Sequence, residues 1–397
     1  MTDTLLTPTE ILAETLMVLT DNLPCVMNIN TQYSSEFAKS GKKIGDSVTY
    51  RLPVESSSVG RVMEIDVEDT EESSGTITID QVFNIAWDFN SADLALTIDR
   101  YRERYIEPKV IRLAHELESY VQQEMARAFY NYVGAAGTTP ATSGVIGDAK
   151  QKLQESLSPR NKPWCMVINS AAENELVDAL STVFNSAKET SKQNIEGAMK
   201  RLRSFEFFQS DLVYRHTTGA FDTAVIDGAG QTGSTLNVDG ADTQTDWILD
   251  GDKFTVAGLY KVHPQTKKNL GVLQQFTCTA DTDSTGDVAI PISPAIDISG
   301  PYQNVAAAPV DGNALTMLGS EGTVYPMNLF FAPDSTALVT VDLPIPENVW
   351  GAAETYEGVR VVLVKDFDIK TRKEICRLDL MCGLDFPRPQ CGGVLIG

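Results

Sequence analysis

Histidine is nearly absent from this chain: three occur in 397 residues, at 115, 216 and 263. None stands in a metal-binding pattern such as H-E-x-x-H. His115, followed by Glu116 and Glu118, reads as a helix side chain; His216 and His263 read as loop or strand-end residues rather than triad members. Cysteine is also scarce. The six, at 25, 165, 278, 376, 382 and 391, lack the close-pair spacing of zinc sites, so free thiols in a reducing compartment are expected. No run of about 18 apolar residues is present to span a bilayer. The N-terminus has no basic segment followed by an apolar run, so no signal peptide is expected. Positive charge is short: 32 Lys and Arg stand against 54 Asp and Glu, a net charge of -22. Such a chain repels phosphate at long range, which argues against sequence-specific DNA binding and against an anionic membrane. Enclosure of nucleic acid and local contact with a basic partner stay open.

Catalytic signatures are missing as well. No G-x-S-x-G elbow occurs. The GKK at 41–43 lacks the upstream Gly and the following Ser or Thr of a phosphate loop, and DGAGQTG at 227–233 is followed by no long helix. The acidic run DVEDTEE at 66–72 lacks the central Gly of a calcium loop. DTDSTGD at 281–287 comes closer to a cation loop but lacks the terminal Glu. Phe205, Phe207 and Phe208 form an apolar stripe at strand spacing, the pattern of core packing.

What is present is a change of texture. Residues 221–300 hold eleven Asp, eleven Thr and nine Gly but no Glu. Strand-like GDKFTVAGLYKVHP (251–264), LGVLQQFTCTA (270–280) and DVAIPIS (287–293) fall inside this stretch, separated by turn residues. It reads as a small all-β module set in a mixed α/β body. A chain of this length, 42% hydrophobic and 22% charged, should fold into two or three domains. Thr7, Pro8 and Glu10 mark a helix start, with Ile11, Leu12, Thr15, Leu16 and Leu19 on one face and Pro24 after it. Gly45–Val54 and Thr76–Trp87 read as strands around a polar, acidic segment, hence a long hairpin that projects from the body or lies on its surface.

The longest helix signal covers about 102–133, with Ile106, Val110, Leu113, Leu117, Val121, Met125, Phe129 and Tyr132 in register. Such a helix would be roughly 45 Å long, a spine for a flat or elongated subunit. A second helix is expected over 172–188, preceded by the buried strand WCMVIN at 164–169. MNLFFAPDSTALV (327–339) reads as a strand, a turn and a short helix. Residues 359–389 read as two long strands joined by IKTRKE.

Several stretches, in their order along the chain, resemble one family. They are LTDNLP with NINTQYSSEF downstream, GKKIGDSVTYRLP (41–53), RSFEFFQSDLVYRHTTG (203–219), GDKFTVAGLYKVHPQTKKNLGVLQQF (251–276), GPYQNVAAAP (300–309) and ICRLDLMCGLDFPRP (375–389). The chain resembles the major capsid proteins of tailed phages, within the coat-protein family of the short-tailed Salmonella phages. The resemblance implies an α+β, Hong Kong 97-like capsid fold. It implies an N-terminal arm at 1–44 and an extended-loop hairpin at 45–88. A peripheral domain with a spine helix and the start of an axial domain would occupy 89–220. An inserted β-barrel-like domain would occupy 221–300, and the remaining axial and C-terminal strands 301–397. It implies a structural protein without cofactor, metal or catalytic residues, located in the virion capsid and assembled in the host cytoplasm. Implied partners are copies of itself in hexamers and pentamers, a scaffolding protein, a portal and enclosed double-stranded DNA, with no membrane; binding of a decoration protein is left open.

In such a shell the working residues are contact residues. The candidates are Glu64, Asp66, Glu68, Asp69, Glu71 and Glu72 in the acidic segment, with Arg100, Arg102, Arg104, Arg201 or Arg203 as their receivers. Two other readings compete: an enzyme with an inserted β domain and a pocket that sequence does not reveal, and another virion or tail structural protein.

Overall fold

A computed structural model describes residues 23–31, 47–52, 74–90, 107–181, 201–341, 343, 345, 349–356, 358–369 and 373–397. The helix start at Thr7 lies outside them. The architecture is mixed sheets with few helices. Contacts divide the chain into two compact units, one of Met1–Tyr50, Ser74–Val121 and Thr336–Pro387, the other of Arg51–Ser73, Gln122–Ser335 and Arg388–Gly397. The division falls within helix α1, Glu107–Ala128.

In the first unit, strand Lys373–Asp385 is the organiser. It pairs antiparallel with Ala337–Val341, with Val359–Asp368 and with Gln81–Asn90; Trp350–Tyr356 adds to Val359–Asp368. Val359, Val361 and Leu363 are buried, whereas toward the connecting turn the apolar side chains leave the core: Ile369 is 83% exposed. Ser47–Arg51 and Ser74–Thr78 form a separate two-stranded pair. Its footing is specific. Tyr50 donates its hydroxyl to Asp385 Oδ2 at 2.8 Å, and its ring lies so close to Gly75 that a Cβ there would collide with the hydroxyl oxygen. Only glycine fits beneath that ring.

The ridge of α1 within this unit comprises Val110, Leu113, Ala114, Leu117 and Val121, all buried. Glu118, on the same helix, is buried too. Its carboxylate accepts the backbone N–H of Cys25 at 2.8 Å and of Val26 at 3.2 Å, at the start of a one-turn 3-10 helix, Val26–Asn28. An anion suits the donor end of a helical turn. Glu118→Ala should leave those buried donors without the carboxylate and destabilise this anchorage by about 3 kcal/mol. Faster amide exchange across residues 23–29 is the measurement that checks it.

The second unit holds a mixed sheet in the order Asn131–Val133, Gly392–Ile396, Val324–Phe331, Trp164–Ile168, Phe205–Gln209, Arg201–Leu202, with Arg215–Thr217 also on Val324–Phe331. Trp164–Ile168 is buried along its whole length and pairs parallel with Phe205–Gln209. Helix α2, Ser143–Glu155, packs Ile146, Ala149 and Leu153 onto this core. Helix α3, Ser170–Ser181, follows directly on the strand. It starts before 172 because Asn169 caps it: Asn169 Oδ1 accepts the N–H of Ala172 at 2.9 Å. Residues 182–188 of the expected helix lie outside the described residues.

Two expectations need correction. Helix α1 ends at Ala128, not near 133, because residues 131–133 pair parallel with Gly393–Leu395. Asn131 Nδ2 also donates to the carbonyls of Gln390 and Gly392, at 3.0 and 2.9 Å. The segment after Phe331 makes only a 3-10 turn, Pro333–Ser335, before the buried strand Ala337–Val341 replaces the expected short helix.

The Asp- and Thr-rich stretch folds as an antiparallel sheet in the order Leu315–Met317, Lys253–Val262, Asn269–Cys278, Val288–Ile296, Gly233–Asp239, Val225–Ile226. A bridge between Val225 and Ala314, with Ile226 N–H donating to Asn313 O and Leu315 N–H to Ala224 O, joins the two end strands. The sheet thus closes on itself around Trp247, Phe254, Phe276, Ile290 and their neighbours. Its aspartates serve the turns. Asp222 accepts Trp247 Nε1–H and the N–H of Asp242; Asp281 accepts the N–H of Asp250; Asp283 that of Asp246; Asp311 that of Gly228. A short carboxylate reaches a neighbouring amide that Glu would overshoot, which suits Asp222, Asp281, Asp283 and, beyond the 221–300 stretch, Asp311 to these turns. It also removes the cation-loop reading of 281–287, since Asp281 and Asp283 are both engaged with backbone.

Candidate assembly surface and buried charge cluster

Of the expected contact residues, Glu64, Asp66, Glu68, Asp69, Glu71 and Glu72 lie outside the described residues, as do Arg100, Arg102 and Arg104. Arg201 and Arg203 are described, and both are exposed. Arg201–Leu202 pairs antiparallel with the start of Phe205–Gln209, so Arg203 and Ser204 form a two-residue turn, with φ of 48° and 82°. Two successive positive φ angles define the turn that fits a twisted hairpin, a place usually held by Asn-Gly. Here it is held by Arg-Ser. The Arg203 guanidinium lies on helix α2 at Gly147, where a Cβ would come within 2.5 Å of Nη1. A glycine inside a helix costs about 1 kcal/mol relative to alanine, and here its missing side chain makes room for a cation.

A second charged group is buried and has no counterpart among the sequence expectations. His216, on strand Arg215–Thr217, donates Nε2–H to Asp252 Oδ1 at 2.7 Å, with side chains 2% and 0% exposed. The other oxygen, Asp252 Oδ2, accepts the N–H of Leu249 at 2.8 Å and of Gly219 at 3.1 Å. Beside it Lys253, fully buried, donates to Ala126 O at 2.9 Å and to Phe129 O. These carbonyls lie at the C-terminal end of α1, where a cation is favoured. Burial pushes the Lys253 ammonium down to about 7, opposed by Asp252 and Asp250. Lys261, whose Nζ donates to Ser156 Oγ at 3.1 Å, is pushed down to about 8 by burial and by Lys152. Sequence offers one weak signal: Asp252-Lys253 opens a strand whose next residues are apolar, an unusual place for a charge pair.

The arrangement is structural chemistry. The His216–Asp252 contact is sealed from solvent, and the carboxylate is saturated by backbone donors. All six cysteines are buried free thiols; burial raises Cys165 and Cys382 to about 12. Among the described residues no group of three His, Cys, Asp or Glu is placed to hold a metal ion, and no helix is long and apolar enough to cross a membrane.

A family model described as "P22 coat protein - gene protein 5" matches residues 9–397. The chain belongs to the P22 coat protein family. A curated relative, the major capsid protein of Acyrthosiphon pisum secondary endosymbiont phage 1, is 23% identical over 385 residues, 89% of each chain. Among solved structures, one titled Mycobacterium phage Che8 covers 93% of this chain and 89% of its own, at 11% identity and a TM-score of 0.49. The capsid of Ralstonia phage GP4 covers 90% and 85%, at 8% identity and a TM-score of 0.47. The CUS-3 coat protein I-domain is 26% identical over 24% of this chain and 94% of its own, with a TM-score of 0.19. As a member of the P22 coat protein family, this chain is a phage major capsid protein.

Proposed function

We propose that this coat protein assembles into an icosahedral shell around the double-stranded DNA of a tailed phage, with a Hong Kong 97-like subunit. The observation that carries the reading is the family match across residues 9–397. In this reading residues 1–44 form the arm, 45–88 the extended loop, and α1 the spine. The closed β module holds the insert expected at 221–300 and runs on past it to the strand Leu315–Met317. The family supports a structural role rather than an enzymatic one. Hexamers and pentamers of the chain build the shell in the host cytoplasm, with a scaffolding protein and a portal as partners. Its acidity suits an inner wall that must not grip packed DNA.

Identical subunits meet heterologously around rotation axes, and many weak contacts act together. The acidic segment from Glu64 to Glu72 supplies such a contact to the arginines of a neighbour and sets register more than affinity. Glu71→Lys with Glu72→Lys should abolish closed shells, seen by sedimentation, while the thermal melt of the subunit stays unchanged. Normal shells from that variant would remove the acidic segment from the contact.

A further inference from the structure

The second compact unit carries a cleft of about 290 Å³ in which four of the nine lining residues are cations and none is acidic. The cations are Lys150, Arg160, Lys162 and Arg201. Over the whole chain acids outnumber bases by 54 to 32, so a concavity walled by cations alone departs from the composition. Among the described residues, none of the four forms an ion pair with a carboxylate. Like charges held around one concavity repel, and an anion seated among them removes that repulsion. The walls are fixed by the fold. Helix α2 ends in a Schellman arrangement: Ser158 N–H donates to Leu153 O at 3.0 Å and Leu157 N–H to Gln154 O at 3.1 Å. Trp164 then donates Nε1–H to Pro159 O at 2.8 Å and packs its ring on Phe205, with centroids 5.7 Å apart, pinning the loop that carries Arg160 and Lys162. On the other side Lys150 Nζ donates to Ser204 Oγ at 3.1 Å, tying α2 to the Arg203–Ser204 turn beside Arg201.

We infer that this cleft binds a compact oligophosphate anion by its phosphate chain, whether inorganic triphosphate or the triphosphate of a nucleotide. The inference goes beyond the coat-protein reading and does not depend on it. Guanidinium groups such as those of Arg160 and Arg201 offer planar forks that match two phosphate oxygens at once, and lysine ammonium groups add point charge. Gln154, Asn161 and Ser204 in the same lining offer neutral polar groups for the remaining oxygens. Four cations suit an ion that carries several negative charges in a short length better than they suit a single carboxylate. The volume sits at the small end of ligand sites, roughly 300 Å³ and upward, so the occupant is short. A nucleic acid track would present cations in an extended stripe with exposed aromatic rings for stacking. Here the cations surround a compact concavity, and its one aromatic ring, Trp164, is buried with its N–H engaged. The net charge of -22 also repels a long polyanion, whereas a short ion inside the cleft is governed by the cations next to it.

The test is calorimetric titration of the full chain with inorganic triphosphate, at low salt and without magnesium. Saturable binding of one ion per chain is expected, and a rise in melting temperature with triphosphate should accompany it. Arg160→Gln, Lys162→Gln and Arg201→Gln together should weaken binding by about tenfold or more and remove the rise. These three positions are exposed, so the variant without ligand should melt as the parent does. Arg201→Gln alone should weaken binding by about threefold, which keeps the test open to failure if the triple variant melts lower. ATP distinguishes the two sources of the phosphate chain: it should bind about as tightly as inorganic triphosphate, because no ring in the cleft is free to stack on a base. Absent binding, or equal binding by parent and triple variant, overturns the inference. Much tighter binding of ATP than of triphosphate overturns recognition through the phosphate chain. A single-stranded DNA of about ten nucleotides that binds the cleft more tightly than triphosphate overturns the compact ligand in favour of a nucleic acid surface.

Discussion

Asp252→Ala should lower the stability of the second compact unit by about 4 kcal/mol. Its carboxylate is fully buried and accepts from His216 Nε2, Gly219 N and Leu249 N at once. Alanine leaves three donors without an acceptor in a region water does not reach, and each orphaned donor costs about 1–3 kcal/mol. Asp252→Asn keeps the shape and one acceptor oxygen and should cost about half as much. The measurement is urea unfolding followed by tryptophan fluorescence, since Trp247 is buried in the adjoining β core. A loss below about 1 kcal/mol for the alanine variant would show that the cluster is not a structural tie.

The second large effect is a dependence on alkaline pH. Lys253 titrates near 7 in the folded chain and Lys261 near 8, whereas both share the usual lysine value of 10.5 when unfolded. Between these limits the unfolded chain binds more protons, so stability should rise with pH. The cost of burying the two ammonium groups is fully present below pH 7 and fades as pH approaches 10.5. It amounts to several kcal/mol over that window, since a tenfold difference in proton affinity between folded and unfolded chains corresponds to about 1.4 kcal/mol. Lys253→Met should flatten the larger part of the rise. Denaturation midpoints of parent and variant between pH 7 and 10 measure it directly, and parallel pH profiles for the two would contradict the assignment.

These predictions rest on residues that sequence reasoning does not single out, and the reason is physical. The ridge Val110, Leu113, Leu117, Val121, Met125 is legible because a helical period over several turns has few alternative explanations. Its C-terminal end is not, because Phe129, Tyr130 and Tyr132 satisfy a strand as well as a helix, and the parallel partner Gly393–Leu395 is about 260 residues away. Helix α2 escapes notice since only Ile146, Ala149 and Leu153 mark its inner face and Gly144 and Gly147 dilute the signal. The composition of 221–300 announces a turn-rich β module. The amides that its carboxylates accept from stand as far as 37 residues away, as with Asp283 and Asp246. Arg201 and Arg203 can be named as basic, but only the parallel pairing of Trp164–Ile168 with Phe205–Gln209 brings them beside Lys150, Arg160 and Lys162. The alternation through Val359, Val361 and Leu363 is visible; the coupling of His216 to Asp252 is not, since nothing local ties the two.

The most direct test of the coat-protein account is negative-stain microscopy with sedimentation of the purified full chain, alone and with the scaffolding protein of its phage. The account predicts closed, fast-sedimenting shells with diameters on the order of tens of nanometres. A chain that stays a monomer or small oligomer in both preparations would contradict it.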